Sequence, residues 1–110
     1  MKFEMNGREW EIKEIPQKEI VEIYEECTKE EVAAVYGLTK FGSHEIYINS
    51  ETCYDMKRQT LMHELMHCYI NEYMSLSMEE FDDEMLCNIS ANSHDIIHDI
   101  VEEYFKKVEK

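Results

Sequence analysis

Two histidines and one glutamate near the middle of the chain have the types and spacing of a metal site. His63, Glu64 and His67 form the pattern H-E-x-x-H. On a helix, side chains four residues apart are neighbours, so the two imidazoles can share one tetrahedral Zn²⁺ ion. Glu64 projects beside the metal, where it can hold a metal-bound water and take its proton. The pattern predicts one zinc ion per chain, with Glu64 as the catalytic base.

The residues around this pattern favour a metal site over two histidines that merely pack in a core. The neighbours are apolar: Leu61, Leu65, Cys68, Tyr69 and Ile70. Placing two imidazoles and a carboxylate on such a helix costs free energy unless something pairs with them. A bound metal ion would provide that pairing.

A catalytic zinc site normally has three protein ligands and one open position. The extension that would supply a third histidine is absent, because positions 70 and 73 are Ile and Tyr. The next carboxylates lie in residues 81–91. We predict Glu84 as the third ligand, with Asp83 and His94 as alternatives.

Helical spacing puts Glu84 on one face with Cys87, Asn88 and Ala91. Small residues on this face would let the helix approach the zinc helix closely. Asn88 would then orient a metal ligand through a hydrogen bond.

A second histidine pair, His94 and His98, has the same spacing but no glutamate after its first member. We interpret these two as surface histidines, with oxyanion donation by His94 as an alternative. Three tyrosines are interpreted as packing residues, with the same alternative role: Tyr47, Tyr69 and Tyr73.

Hydrophobic periodicity predicts the elements that position these residues. A hairpin spans residues 2–15 around the turn Asn6-Gly7, and strands follow at 32–39 and 45–49. Helices are predicted at 17–28, 53–74, 78–92 and 94–108, and the sequence leaves open whether the last two are separate. Capping boxes at Thr52-x-x-Asp55 and Ser77-x-x-Glu80 open two of them. In the strand 45–49, Ile46 and Ile48 are expected to face inward, and Glu45, Tyr47 and Asn49 outward. This strand is the candidate edge for substrate docking.

Length and charge narrow the class of protein. The 110 residues carry 11 basic and 25 acidic side chains, and 11 − 25 gives −14. We expect a single domain over residues 1–110, without a membrane span or secretory signal, and hence a cytoplasmic protein. The acidic balance argues against direct nucleic acid binding. The four cysteines are expected to be reduced, buried thiols.

Two segments carry a resemblance to a known family. Residues 63–69 read H-E-L-x-H-x-Y and residues 84–91 read E-x-x-C-N-x-x-A. With the preceding strands, they resemble the ImmA/IrrE-type metallopeptidases, most closely the short forms of phages and mobile elements. Longer members have Ala and Phe where this chain has Cys87 and Ser90, and a polar residue is common where it has Met66.

The resemblance implies a fold and a function. The fold would be α+β, a minimal zincin with a small antiparallel β-sheet packed against the H-E-x-x-H helix, plus two or three further helices. The activity would be zinc-dependent cleavage of a protein substrate, plausibly a transcriptional repressor carried on a separate helix-turn-helix protein. Glu84 would correspond to the acidic ligand of the family.

One alternative function comes from the charge. The protein could instead be a non-catalytic interaction protein that uses zinc to stabilise its fold and its acidic surface to bind a basic partner. Such a site is normally closed by four protein ligands, with Cys68 or Cys87 as the candidate for the fourth. The oligomeric state is left open by the sequence.

Overall fold

The computed structural model describes the backbone of residues 1–74 and 83–108, and the side chains of residues 1–74 and 87–106. Within these residues the fold is α+β, with a four-stranded sheet and three α-helices. In chain order the elements are β1 (Lys2–Met5), β2 (Arg8–Ile15), α1 (Gln17–Thr28), β3 (Gly37–Lys40), β4 (Glu45–Asn49), α2 (Tyr54–Tyr69) and α3 (Asp83–Val108). A π-helical turn, Ile70–Met74, continues α2.

The sheet is mixed, so the expectation of an antiparallel sheet is wrong. Its strand order is β1-β2-β4-β3, with β1/β2 and β4/β3 antiparallel but β2/β4 parallel. Parallel neighbours need a crossover connection, and α1 lies in the connection between β2 and β4. The helix was predicted, but its consequence for strand direction was not.

Both faces of the sheet are covered, which explains a second difference from the prediction. Ile46 and Ile48 face inward as expected, in a cluster with the buried residues of α2 and α3. Tyr47, expected to face outward, is buried on the opposite face with Ile20 of α1. Asn49 is buried as well, and its side-chain amide donates to the Val35 carbonyl at 3.0 Å.

The first hairpin has the predicted turn, and this turn packs against the end of α2. Asn6 and Gly7 have φ angles of 54° and 76°, as a type I′ turn requires. The backbone N–H of Asn6 donates to the Tyr73 hydroxyl, and the Asn6 side-chain amide donates to the Glu72 carbonyl, both at 2.9 Å. Arg8 binds the buried Glu72 carboxylate at 2.7 Å. The turn therefore fixes the π-helical extension of α2.

Helix boundaries differ from the prediction at two places. The predicted helix 53–74 is α-helical only over Tyr54–Tyr69. Thr52 does not cap it, because its hydroxyl donates to the Asn49 carbonyl at 3.0 Å. The sequence left open whether the helices at 78–92 and 94–108 are separate, and α3 runs through residues 92–94 without a break. The capping box Ser77-x-x-Glu80 lies outside the described residues.

Candidate metal centre

Helix α2 carries the H-E-x-x-H pattern with its glutamate on the buried side. Glu64 is only 7% exposed, in a stripe with Thr60, Leu61, Leu65 and Cys68. The His63 side chain is 69% exposed, at the border of this stripe. The helix therefore presents an open imidazole next to a sheltered carboxylate.

The two histidines converge on one point. The Nε2 atoms of His63 and His67 are 3.2 Å apart, with ring centroids 4.8 Å apart. Two nitrogens bound to one tetrahedral Zn²⁺ at 2.0–2.1 Å lie about 3.3 Å from each other. The separation therefore fits a shared ion with almost no movement of either ring.

Strand β3 fixes the glutamate. The Thr39 hydroxyl donates to Glu64 Oε1 at 2.8 Å. The other oxygen, Oε2, lies 4.0 Å from His63 Nε2. One carboxylate oxygen is thus held by the sheet while the other faces the histidine pair.

A glycine lets β3 approach α2 this closely. A Cβ atom at Gly37 would lie 2.4 Å from Thr60 Cγ2 and 3.2 Å from Glu64 Cγ. No real Cβ contact is as short as the first distance, so with any other residue here the Thr60 side chain, the strand or the helix would have to shift. Gly37 thus permits the close approach at which Thr39 donates to Glu64.

Three of the described side chains can hold a metal ion together, with ligand atoms all within 4.8 Å of one another: His63, Glu64 and His67. We call these three residues the metal group. Glu84 and Asp83 lie in the first turn of α3, and their side chains lie outside the described residues. Glu84 as third ligand stays a prediction. The face that Glu84 was expected to share is exposed at Cys87, Asn88 and Ala91.

His94, the other alternative ligand, lies near this group without joining it. It lines a cavity between α2 and α3 together with His63. Its side chain is 70% exposed, and its Nδ1 is 3.2 Å from Asp95 Oδ1. The interpretation of His94 and His98 as exposed histidines agrees with this placement.

The cysteines differ from the expectation that all four are buried. Cys27, Cys53 and Cys87 are exposed, and only Cys68 is buried. Burial raises the pKa of the Cys68 thiol, and the Glu64 and Glu72 carboxylates raise it further. Cys68 lies in the buried core cluster, and it does not belong to the group that His63, Glu64 and His67 form.

The substrate-docking edge was assigned to the wrong strand. Residues 45–49 form β4, which lies between β2 and β3. The strand at the edge beside α2 is β3. The backbone N–H of Asn49 in β4 donates to the Tyr36 carbonyl, just before β3, at 2.9 Å. In an antiparallel pair, successive residues of a strand direct their N–H and C=O groups alternately toward and away from the partner strand. The N–H and C=O groups of Gly37 and Thr39 therefore point away from β4.

All three tyrosines have packing or structural partners, and Tyr69 packs against the core cluster that includes α2 and α3. Tyr47 is buried on the α1 side of the sheet, the face opposite α2. Tyr73 accepts a hydrogen bond from Asn6, and its ring lies 4.9 Å from that of Tyr69.

Sequence reasoning missed Thr39 and Gly37 as parts of the site. One signal was present, because a glycine inside a predicted strand often marks a close approach of another backbone or element. Which helix would approach could not be read from the strand itself.

Comparison with known proteins adds no relative. No family model matches the chain, and no curated protein and no solved structure matches it either. None of the helices in residues 1–74 and 83–108 has the length and apolar character that crossing a membrane requires. The arguments about function therefore depend on the residues and their geometry, together with the resemblance noted in the sequence.

Proposed function

We propose that this protein is a zinc-dependent endopeptidase that cleaves a peptide bond in a protein substrate. The observation that carries the proposal is the arrangement on α2. Two imidazole nitrogens lie 3.2 Å apart beside a carboxylate with one oxygen anchored by Thr39. His63, His67 and Glu84 would hold the ion, which supplies Lewis acidity when bound.

Glu64 performs the proton transfers. Its Oε1 is engaged by Thr39, so Oε2 is the oxygen that faces the histidine pair. Oε2 accepts a proton from the attacking water and later passes it to the nitrogen of the leaving amine. The hydrogen bond from Thr39 limits rotation of the carboxylate, which keeps Oε2 directed at the reacting groups.

The free edge of β3 is the proposed docking site for the substrate backbone. The main-chain groups of Gly37 and Thr39 point away from β4, and both residues lie against Glu64 or its neighbour Thr60. An extended peptide that adds to this edge forms main-chain hydrogen bonds within reach of the metal group. Protection of the Gly37 and Thr39 amides from hydrogen exchange by a bound peptide is the expected sign.

The substrate class follows from the family resemblance and the charge. The resemblance suggests a separate helix-turn-helix repressor of a phage or mobile element. DNA-binding proteins carry basic surfaces, and the charge of −14 on this chain would attract such a partner. The proposal involves no direct binding of nucleic acid by this chain.

Metal content and cleavage test the proposal together. Mass spectrometry of the purified protein should find one zinc ion per chain, which is lost in His63→Ala and weakened in Glu84→Ala. His98→Ala is the matched control, because it alters the other histidine pair of equal spacing and should keep the metal.

Glu64→Gln should keep the metal and lose cleavage of a proteome-derived peptide library by about 10²–10⁴-fold, the usual contribution of a general base. A Glu64→Gln protein that cleaves at the wild-type rate would contradict the mechanism. Wild-type protein that takes up no zinc even after reconstitution would contradict the metal site itself.

A further inference from the structure

His63 stands between two cavities that differ in chemistry. One, the β3-side cavity of about 390 Å³, is lined by Tyr36, Gly37, Gln59 and Glu64 among others. The other, the α3-side cavity of about 280 Å³, lies between α2 and α3. Since His63 belongs to both walls, a peptide bond at the metal group would have one cavity on either side.

The α3-side cavity has an apolar interior. Its walls include Met62, Met66 and Ile97. Met62 is 43% exposed although its neighbour Leu61 is completely buried, so an apolar surface faces solvent beside the metal group. Methionine side chains adapt to the shape of an apolar guest, which suits a pocket for a variable partner.

The described lining of this cavity offers no ion-pair partner to a cationic substrate side chain. The Ser93 side chain is buried, and its hydroxyl donates to the Ser90 carbonyl at 3.4 Å. The other polar groups of the described lining are the Ser90 hydroxyl and three imidazoles, and no carboxylate belongs to it. A lysine or arginine side chain would lose its hydration there without gaining an ion pair.

We propose that the α3-side cavity is a specificity pocket for an aliphatic substrate side chain of leucine or methionine size, next to the cleaved bond. This inference depends on the proposed peptidase function. A cavity of about 150 Å³ lined by apolar residues is enough to hold a benzene ring, so about 280 Å³ gives room for such a side chain. The apolar walls select for it, and the shared His63 places it beside the reacting bond.

Amino acid hydroxamates test this without knowledge of the natural substrate. Glycine hydroxamate probes the metal alone, and leucine hydroxamate adds one aliphatic side chain. Titration calorimetry on the zinc-loaded chain should show leucine hydroxamate binding at least about tenfold more tightly than glycine hydroxamate, since apolar pocket contacts discriminate by that order. Equal binding of the two, or binding of lysine hydroxamate as tight as that of leucine hydroxamate, overturns the pocket.

Cavity-filling variants locate the side chain. Ser90 lines the cavity and is exposed, so Ser90→Trp should abolish the preference for leucine hydroxamate while glycine hydroxamate still binds. Asn92→Trp, an exposed position of the same helix outside the lining, is the matched control. Loss of the preference in Gln59→Trp instead would assign the side chain to the β3-side cavity and overturn the proposal.

The same titration separates the two hypotheses. If glycine hydroxamate binds but the leucine side chain adds nothing, the pocket is wrong and the peptidase proposal stands. If the zinc-loaded protein binds neither compound, the metal has no open position, and both the peptidase function and the pocket are overturned. The comparison of the probes on the wild-type chain stands even if Ser90→Trp does not fold.

Discussion

Two histidine pairs with the same four-residue spacing lie on neighbouring helices, and among the described side chains only one of them belongs to a group that can hold a metal ion. His63 and His67 bring their Nε2 atoms to 3.2 Å, with ring planes at 77°. The rings of His94 and His98 are nearly parallel at 10°, with centroids 5.8 Å apart. Equal spacing therefore does not produce equal geometry.

The carboxylates beside the two pairs also differ. Glu64, beside the first pair, is only 7% exposed, and the Thr39 hydroxyl of strand β3 donates to its Oε1. The second pair lies beside Asp95 and Glu102, whose side chains are 97% and 52% exposed, with His94 3.2 Å from Asp95 and His98 3.7 Å from Glu102. Of the two pairs, only the first therefore has a sheltered carboxylate that a second element of structure holds.

The largest expected effect is on metal affinity. His67→Ala removes one of two converging nitrogens, so zinc affinity should fall by more than the roughly 10–100-fold that loss of an outer partner costs. His94→Ala should leave the affinity within about twofold if the second pair holds no metal. Titration with a competing zinc indicator measures both. Equal losses of zinc affinity in the two variants would show that His94 is also a ligand and would contradict the distinction between the two pairs.

The next prediction concerns Thr39, which we regard as a positioning residue. Thr39→Val keeps the shape but removes the donor to Glu64. A hydrogen bond to a charged group contributes about 1.5–3 kcal/mol, so kcat should fall by about tenfold or more while zinc content is unchanged.

Thr39→Ser is the control for this change, because it restores the hydroxyl and should restore kcat. Equal rates for the valine and serine variants would show that the hydroxyl has no part in catalysis.

A smaller effect is expected on stability at the contact between β3 and α2. Gly37→Ala introduces a Cβ into the space occupied by Thr60. Overpacking of this kind costs about 1–3 kcal/mol of unfolding free energy. Denaturant unfolding measures it, and Gly42→Ala is the matched control because nothing lies within 4 Å of its Cβ position. Equal stability of the two variants would contradict the close approach.

The smallest expected effect is on folding stability at acidic pH. It concerns the ion pair between Lys13 and Glu45, which lies away from both histidine pairs. The hydrogen bond from Lys13, at 2.5 Å, lowers the pKa of Glu45 from 4.5 to about 2. A lowered folded-state pKa stabilises the fold above pH 4.5, and this contribution is lost as the pH falls from 4.5 towards about 2.

Glu45→Gln should flatten that part of the stability profile and leave zinc binding at neutral pH unchanged. Unfolding curves between pH 2 and 6 test this. An unchanged acid dependence in the variant would show that other carboxylates are responsible.

The predictions that succeeded rest on short-range patterns. The Asn6-Gly7 turn, helix α1 and the placement of His63 and His67 on one side of α2 each follow from residues within one turn or a few turns of helix. The sequence left open whether the last two predicted helices are separate, and α3 continues through residues 92–94. Tyr47 was placed outward because alternation shows which residues share a face, but not that α1 covers the second face.

The sequence by itself determined that His63 and His67 are neighbours on one side of α2, because 3.6 residues per turn put side chains four apart on one side of any α-helix. It also determined the acidic charge, the first hairpin and the α+β class. Only the tertiary structure decided that β2 and β4 run parallel, that β3 lies at the edge, and that Thr39 meets Glu64. Those contacts join residues 25 or more positions apart, and no local periodicity specifies which distant segments pack together.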